Sequence, residues 1–496
     1  MASKPIILRV NRSLYQINTR VFLSSLGRGA TLDDIPDSFL DQLASKGFDW
    51  VWLLGVWQVG PTGRFLSRTL PEWRKEYAQV LPDLSDADIA GSPFAVVGYH
   101  VDQAIGGDRA LAQLRERLHK RGIKLMLDFV PNHVGHDHPW TSSHPEFFFQ
   151  GTQADLQRDP RRWVQAPSGG IFALGRDPNF PGWPDTLQLN YFSGALREAM
   201  LDELLSVARR CDGVRCDMAM LLEPEVFSRT WGELRGAGDE APPSFWPNAI
   251  SAVRAEHPEF LFLAEVYWNY EWKLLEHGFD YAYDKTLYDR LMSLRAKEVH
   301  EHLIAPLSFQ SRMARFLENH DEPRVASRLP VAAHKAAAAL TYLAPGLRFF
   351  FDGQLEGRRT RVPVHLNRAP KEKAHAEISD FYKLLLPIVQ SLPCRVGAWN
   401  LLDPRPAWEG NPTHQNYLCY LIEHPLDHLL LVVNYASYRG QCSVRLPHRG
   451  WLDGTVELRD RISRDRLRQS SNELQSKGLF VDLPEWGMHL FSLECL

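Results

Sequence analysis

The sequence predicts an α/β fold: a (β/α)8 TIM barrel carrying a small inserted domain B and a C-terminal all-β sandwich. Three observations predict it. Up to about residue 390, short apolar β-type runs alternate with helical periodicity, as in a parallel sheet with helices outside. Two long segments rich in proline and glycine interrupt that alternation. After about residue 394 the helical periodicity gives way to alternating strands.

Strands are expected at 14–23, 50–54, 124–130, 213–216, 260–264, 315–317 and 347–351, with helices over 37–46, 109–121, 195–209, 224–234, 332–343 and 376–389. Eight strand–helix units close a barrel, so one more strand is expected near 279–283. Beyond the barrel, strands are expected at 417–422, 429–435, 443–446, 455–459, 479–483 and 488–493. The resulting division is a barrel of 1–133 and 186–392, domain B at 134–185 and the sandwich at 393–496. The interruption at 60–98 holds Pro61, Pro71, Pro82 and Pro93 and reads as mostly irregular, with one short helical stretch. Long irregular segments in a compact domain are usually functional, and this one is expected to wall one side of the barrel mouth.

Composition excludes several classes. A net charge of -4 argues against nucleic acid as the main partner, because such proteins carry a strongly basic face. The four arginines between Arg461 and Arg468 read as a solvated loop or strand edge. No apolar run reaches the roughly 18 residues of a membrane-spanning helix, so no membrane partner is expected. The six cysteines are scattered, with no metal-ligand spacing, and fit a reducing compartment. The N-terminal residues show no leader peptide, and a cytoplasmic location is the expectation.

Four segments carry the chemistry: Asp128-Phe129-Val130-Pro131-Asn132-His133, Gly213-Val214-Arg215-Cys216-Asp217, Phe262-Leu263-Ala264-Glu265 and Phe316-Leu317-Glu318-Asn319-His320-Asp321. Each puts polar side chains at the C-terminal end of an expected strand, where barrel enzymes keep reacting groups. Cleaving a glycosidic bond with retention needs two carboxyl groups roughly 5–5.5 Å apart, one to attack the anomeric carbon and one to protonate the leaving oxygen. A third carboxylate can favour the charged transition state. Arg215 stands two residues before Asp217, on the same side of a strand, where its cation would keep Asp217 ionised. Taken singly each residue has a plainer reading: Asp128 as a residue that only holds its loop, and His133 or His320 as core histidines.

The four segments resemble, in order, the signature regions of glycoside hydrolase family 13, the α-amylase family. That resemblance implies a retaining mechanism on α-linked glucose, with Asp217 as nucleophile, Glu265 as acid/base and Asp321 as transition-state stabiliser. It implies that Arg215, His133, His320 and Asp128 line the donor-sugar subsite. Gly98-Tyr99 resembles the pair whose tyrosine stacks on the donor sugar, against the alternative of a core aromatic. Asn132 matches a position that often binds calcium in the family, and Asp185 is a second candidate ligand; no cofactor is required for the chemistry itself.

One departure bears on specificity. Many hydrolases of the family carry Lys-His soon after the nucleophile, where Met220-Leu221 stands here. A glycoside hydrolase acting on maltooligosaccharides or related α-glucans is the leading expectation. A transglycosylase and an α-glucoside phosphorylase share the same carboxylates and stay open. A non-catalytic sugar-binding homologue is disfavoured because Asp217, Glu265 and Asp321 are all present. Oligomeric state is not legible. Trp183 and Tyr267 are each as readily core as sugar platform, and Arg324 and Gln354 are near enough in sequence to strand ends to reach the site.

Overall fold

A computed structural model describes residues 10–236 and 242–496; the residues read above for a leader, 1–9, lie outside them. Eight parallel strands close a barrel: β1 (Ser13–Asn18), β2 (Trp50–Leu54), β3 (Lys124–Phe129), β4 (Gly213–Cys216), β5 (Leu261–Ala264), β6 (Tyr281–Tyr283), β7 (Met313–Arg315) and β8 (Leu347–Phe351). The order around the barrel is sequential, with β8 returning to pair with β1. The extra strand expected near 279–283 is β6. Among the described residues no helix is long and apolar enough to cross a membrane.

Three local expectations are corrected. The run 14–23 is strand only to Asn18, and Thr19–Leu26 is helical. The Asn18 side chain accepts from the N–H of Val21 and so caps the helix, a stop that the apolar pattern conceals. The seventh strand is Met313–Arg315 rather than 315–317, which leaves Phe316 and Leu317 buried beyond the ladder. The 60–98 segment is largely helical, with Pro61–Thr69 and Pro71–Val80 each starting on proline. Proline is suited to that first position, where its missing N–H would be unpaired anyway.

Those two helices form a small subdomain with the chain after β8. Tyr77, Leu81, Ile89 and Leu366 make its core, and Ile89 bridges to Leu366. Arg361 pairs with Glu76 at 2.6 Å, and Arg368 holds Asp83 and Asp88. The Asp137 carboxylate accepts from the N–H and hydroxyl of Thr62, which joins this subdomain to the inserted region after β3. That region carries two short antiparallel pairs, His133–Gly135 with Thr186–Gln188 and Trp163–Gln165 with Ile171–Ala173.

The C-terminal part packs a six-stranded antiparallel sheet against a three-stranded one. Alternation in its central strands serves two cores. Leu418, Tyr420, Ile422, Leu429, Leu431 and Val433 join the barrel core, while Cys419, Leu421, Leu430 and Val432 fill the space between the sheets. The hydroxyl of Tyr435 donates to the Leu291 carbonyl at 2.8 Å, anchoring the sheet to the barrel. Arg466–Ser470 is an edge strand, and Arg468 pairs with Glu457 at 3.0 Å, in keeping with the strand-edge reading of the arginines there.

Candidate active site

β4 is paired in register with β3 on one side and β5 on the other, and both ladders continue past the strand ends. The N–H of Asp217 donates to the Phe129 carbonyl at 2.8 Å, and the N–H of Glu265 to the Cys216 carbonyl at 3.0 Å. Both acidic residues therefore leave the barrel with fixed backbones. Met218 turns the chain in a left-handed conformation, φ 43°. Its N–H donates to Oε2 of Glu265 at 2.8 Å. Non-glycine residues held in this region mark turns imposed by their surroundings, often at functional sites.

One guanidinium joins the two acids. Nη1 of Arg215 lies 2.5 Å from Oδ1 of Asp217, and Nη2 lies 2.7 Å from Oε2 of Glu265. All three side chains are buried. Trp52, Phe94 and Tyr283 present their rings to the cation at 5.4, 5.2 and 5.9 Å. Burial pushes the Glu265 carboxyl up to about 7 against the pull of Arg215. Burial also raises Asp217, with Arg215 opposing. The cation thus limits, rather than cancels, the cost of burying the Asp217 charge.

The third carboxylate lies on the exposed side. Asn319 Oδ1 accepts from the N–H groups of Asp321 and Glu322, both at 2.9 Å, and so shapes the turn after β7. Nε2 of His320 is 3.0 Å from Oδ2 of Asp321, and Nδ1 is 2.8 Å from Nε2 of Gln16. The ring of His320 is thus held between Gln16 and Asp321. The His320 ring stacks on Phe94 and meets Trp52 edge-on, which links Asp321 to the surroundings of Arg215.

The family model described as "Alpha amylase, catalytic domain" matches residues 97–379, more than half of the chain. The chain belongs to the α-amylase family. It is 23% identical over 295 residues to Alpha-amylase 3 of Dictyoglomus thermophilum, covering 55% of this chain and 55% of that protein. It is 26% identical over 357 residues to Alpha-amylase MalA of Haloarcula japonica, covering 70% of this chain and 44% of that one. The chain spans about half the length of the curated relatives it matches. A noncanonic maltogenic alpha-amylase AmyB from Thermotoga neapolitana shares the fold, with a TM-score of 0.71 at 18% identity over 98% of this chain and 99% of that one.

In this family member the remaining residues separate. Arg215, Asp217 and Glu265 touch, and Asp321 joins them through His320 and Phe94. Asp128 is buried with its carboxylate occupied: Oδ1 accepts from Trp52 Nε1 at 3.1 Å and Oδ2 from the N–H of Gly55 at 2.8 Å. It braces the end of β2, the plainer of its two readings. His133 packs on Trp183 at 4.9 Å, and burial holds its ring neutral by pushing its pKa down to about 3. Its hydrogen bond to the backbone of Phe94 keeps it beside the site.

Tyr99 requires a correction. Its hydroxyl donates to the Val130 carbonyl and accepts from the Val130 N–H, at 3.0 and 2.9 Å, and its ring packs on Trp57 and Phe129. It is core, and the aromatic rings among the catalytic candidates are Trp52, Phe94, Tyr267 and Tyr283. Of the two residues expected to hold calcium, Asp185 keeps a buried Oδ2 without a partner. Oδ1 of Asn132 accepts from Gln188 Nε2 at 3.1 Å. Burial pushes the Asp185 carboxyl up to about 6. Among the described residues there is no group of three or more His, Cys, Asp or Glu that could hold a metal ion.

Two other residues face away from the site. Arg324 pairs with Glu318 at 2.8 Å, and Gln354 donates to the hydroxyls of Tyr342 and Tyr382. Sequence reasoning missed Phe94 and Gln16, and it left Tyr267 as core or platform. Tyr267 donates its hydroxyl to Oε1 of Glu265 at 2.9 Å. The one available signal was its place two residues beyond Glu265 on the same strand exit.

Proposed function

We propose that this chain is a retaining enzyme acting on α-glucosidic bonds of maltooligosaccharides or a related α-glucan. The observation that carries the reading is the single Arg215 guanidinium contacting both Asp217 and Glu265. A group that size keeps two carboxyls within the few ångströms that a retaining pair requires, roughly 5 Å.

In this reading Asp217 attacks the anomeric carbon while Glu265 gives its proton to the leaving oxygen. Glu265, raised to about 7 by burial, is still substantially protonated near neutral pH, as a general acid must be. The deprotonated Glu265 then draws the proton from the incoming acceptor as the bond to Asp217 breaks. Arg215 lies against Asp217 throughout and stabilises it as the leaving carboxylate. Asp321, oriented by His320, is placed for sugar hydroxyls and for the positive charge that develops on the ring. Trp52, Phe94 and Tyr283 exclude water around the cation, which strengthens each of these electrostatic contacts.

Incubation with maltoheptaose tests the proposal. Wild-type protein should turn it over, with shorter products alone indicating water as acceptor and longer products indicating transfer. Asp217→Asn and Glu265→Gln should each lower kcat at least 1,000-fold while binding persists. Unchanged turnover in either variant would remove the assigned roles.

A further inference from the structure

Three arginines converge on one short stretch of backbone at the barrel mouth. Arg20, in the helix after β1, donates Nη1 to the Gly91 carbonyl at 3.1 Å. Arg64 donates Nε to the Ala90 carbonyl at 3.4 Å, and Arg68 donates Nη2 to the Ile89 carbonyl at 3.2 Å. Among the described residues none of the three pairs with a carboxylate, although most other arginines of the chain do. Asp102 attracts Arg20 without forming an ion pair with it, and Arg64 repels it more weakly.

Arg20 is the telling member. It is 9% exposed, and its Nη2 has no partner. A buried guanidinium with one carbonyl contact is costly to maintain, because charge removed from water needs an opposite charge or a full set of hydrogen bonds. Its neighbour Arg64 adds repulsion, which the attraction of Asp102 offsets without satisfying Nη2. The backbone carbonyls take one donor from each arginine and leave Nη2 of Arg20, buried beside a second cation, without an acceptor.

The position of the pair relates it to the carboxylates. Gly91, which Arg20 holds, is three residues before Phe94, whose ring stacks on His320 and faces Arg215. Three residues span at most about 10 Å, which is on the scale of one or two sugar rings. We infer that Arg20 and Arg64 form a phosphoryl-binding position on the loop that brings Phe94 to Arg215, so that the substrate or the acceptor of this site carries a phosphate dianion. Two planar guanidiniums suit a doubly charged anion with several acceptor oxygens. The inference rests on the glucosidic reading for its biological meaning, but its binding test does not depend on turnover.

The test is titration calorimetry on the intact protein with glucose 6-phosphate, inorganic phosphate and glucose. Glucose 6-phosphate should bind at least 10-fold more tightly than glucose, and inorganic phosphate should displace it. Arg64→Gln, at a partly exposed position, should remove at least 10-fold of that affinity with unchanged circular dichroism. Arg20→Lys should weaken it too, and Arg64→Gln keeps the test decisive if the buried variant fails to fold. Equal affinity for sugar and sugar phosphate, or no effect of Arg64→Gln, overturns the inference.

Two further arms identify the source of the phosphate. Glucose 1-phosphate formed from maltoheptaose and inorganic phosphate identifies phosphate as acceptor: its oxygen bonds to C1 as the bond to Asp217 breaks, and its proton passes to Glu265. Faster turnover of a phosphorylated maltooligosaccharide than of the plain one, without glucose 1-phosphate, identifies an ester on the substrate. Arg64-dependent binding of sugar phosphate with no turnover of any α-glucan would count against the glucosidic reading and leave the phosphoryl position standing.

Discussion

The hydroxyl of Tyr267 donates to Oε1 of Glu265 at 2.9 Å, on the carboxylate edge opposite the one held by Arg215 and Met218. A donor to a carboxylate favours its charged form. Tyr267→Phe should therefore raise the Glu265 pKa and move the basic limb of the pH–rate profile upward by about half a unit. A limb that stays in place, measured as kcat/KM between pH 5 and 9, would mean that this bond does not tune the acid.

The pH dependence of the wild type follows from the same pair. Activity needs Glu265 protonated and Asp217 ionised, so the rate should follow a bell with its basic limb near pH 7. Stability should move as well. Glu265 holds its proton in the fold to about 7, whereas an unfolded glutamate releases it near 4.5. Between those values the native state binds more protons, so its stability falls as pH rises, by up to about 3 kcal/mol. That contribution is fully present below 4.5 and lost above 7. Glu265→Gln should flatten this part of the stability curve in urea titrations at pH 4.5 and 7.5.

Arg215→Lys tests the shared cation. An ammonium is a point charge and cannot span two carboxyls as a fork does. One buried acid is then left without its partner, which costs about 3–5 kcal/mol of stability when a buried pair is broken. Denaturant unfolding should show that loss, and kcat should fall at least 100-fold. Retention of both values would show that the contacts with Asp217 and Glu265 carry little weight.

The link between the inserted region and the 61–80 helices is open to a local measurement. Asp137 accepts from the N–H of Thr62 at 2.8 Å, at the start of the helix Pro61–Thr69. Losing such a helix-start acceptor typically costs about 1 kcal/mol. Asp137→Ala should speed hydrogen exchange in residues 62–69 about fivefold, with little change in the barrel strands. Uniform exchange across the chain would indicate that the contact does not hold this helix.

Much of the fold was legible because barrel strands buried on both faces read as continuous apolar runs, and Trp50–Leu54 and Leu347–Phe351 stand where those runs stand. Helix starts were harder. Pro61 and Pro71 read as breaks, since proline both ends helices and begins them, and the apolar pattern at Asn18 hid a cap. At the site, Asp217, Glu265 and Asp321 were legible from their place after strands. Phe94 was not, because it lies in a loop with no periodicity and gains its position only when that loop folds back over Arg215.

By itself the sequence determined the barrel, the C-terminal sheets and the order of the acidic residues along the strand ends, because strand periodicity and short polar motifs are local properties. The tertiary structure alone decided that one guanidinium serves Asp217 and Glu265, that Tyr99 and Asp128 spend their polar atoms inside the scaffold, and that Arg20 and Arg64 meet without an ion pair among the described residues. Those facts depend on burial and on partners distant in the chain, and burial sets both the pKa of an acid and the cost of an unpaired charge.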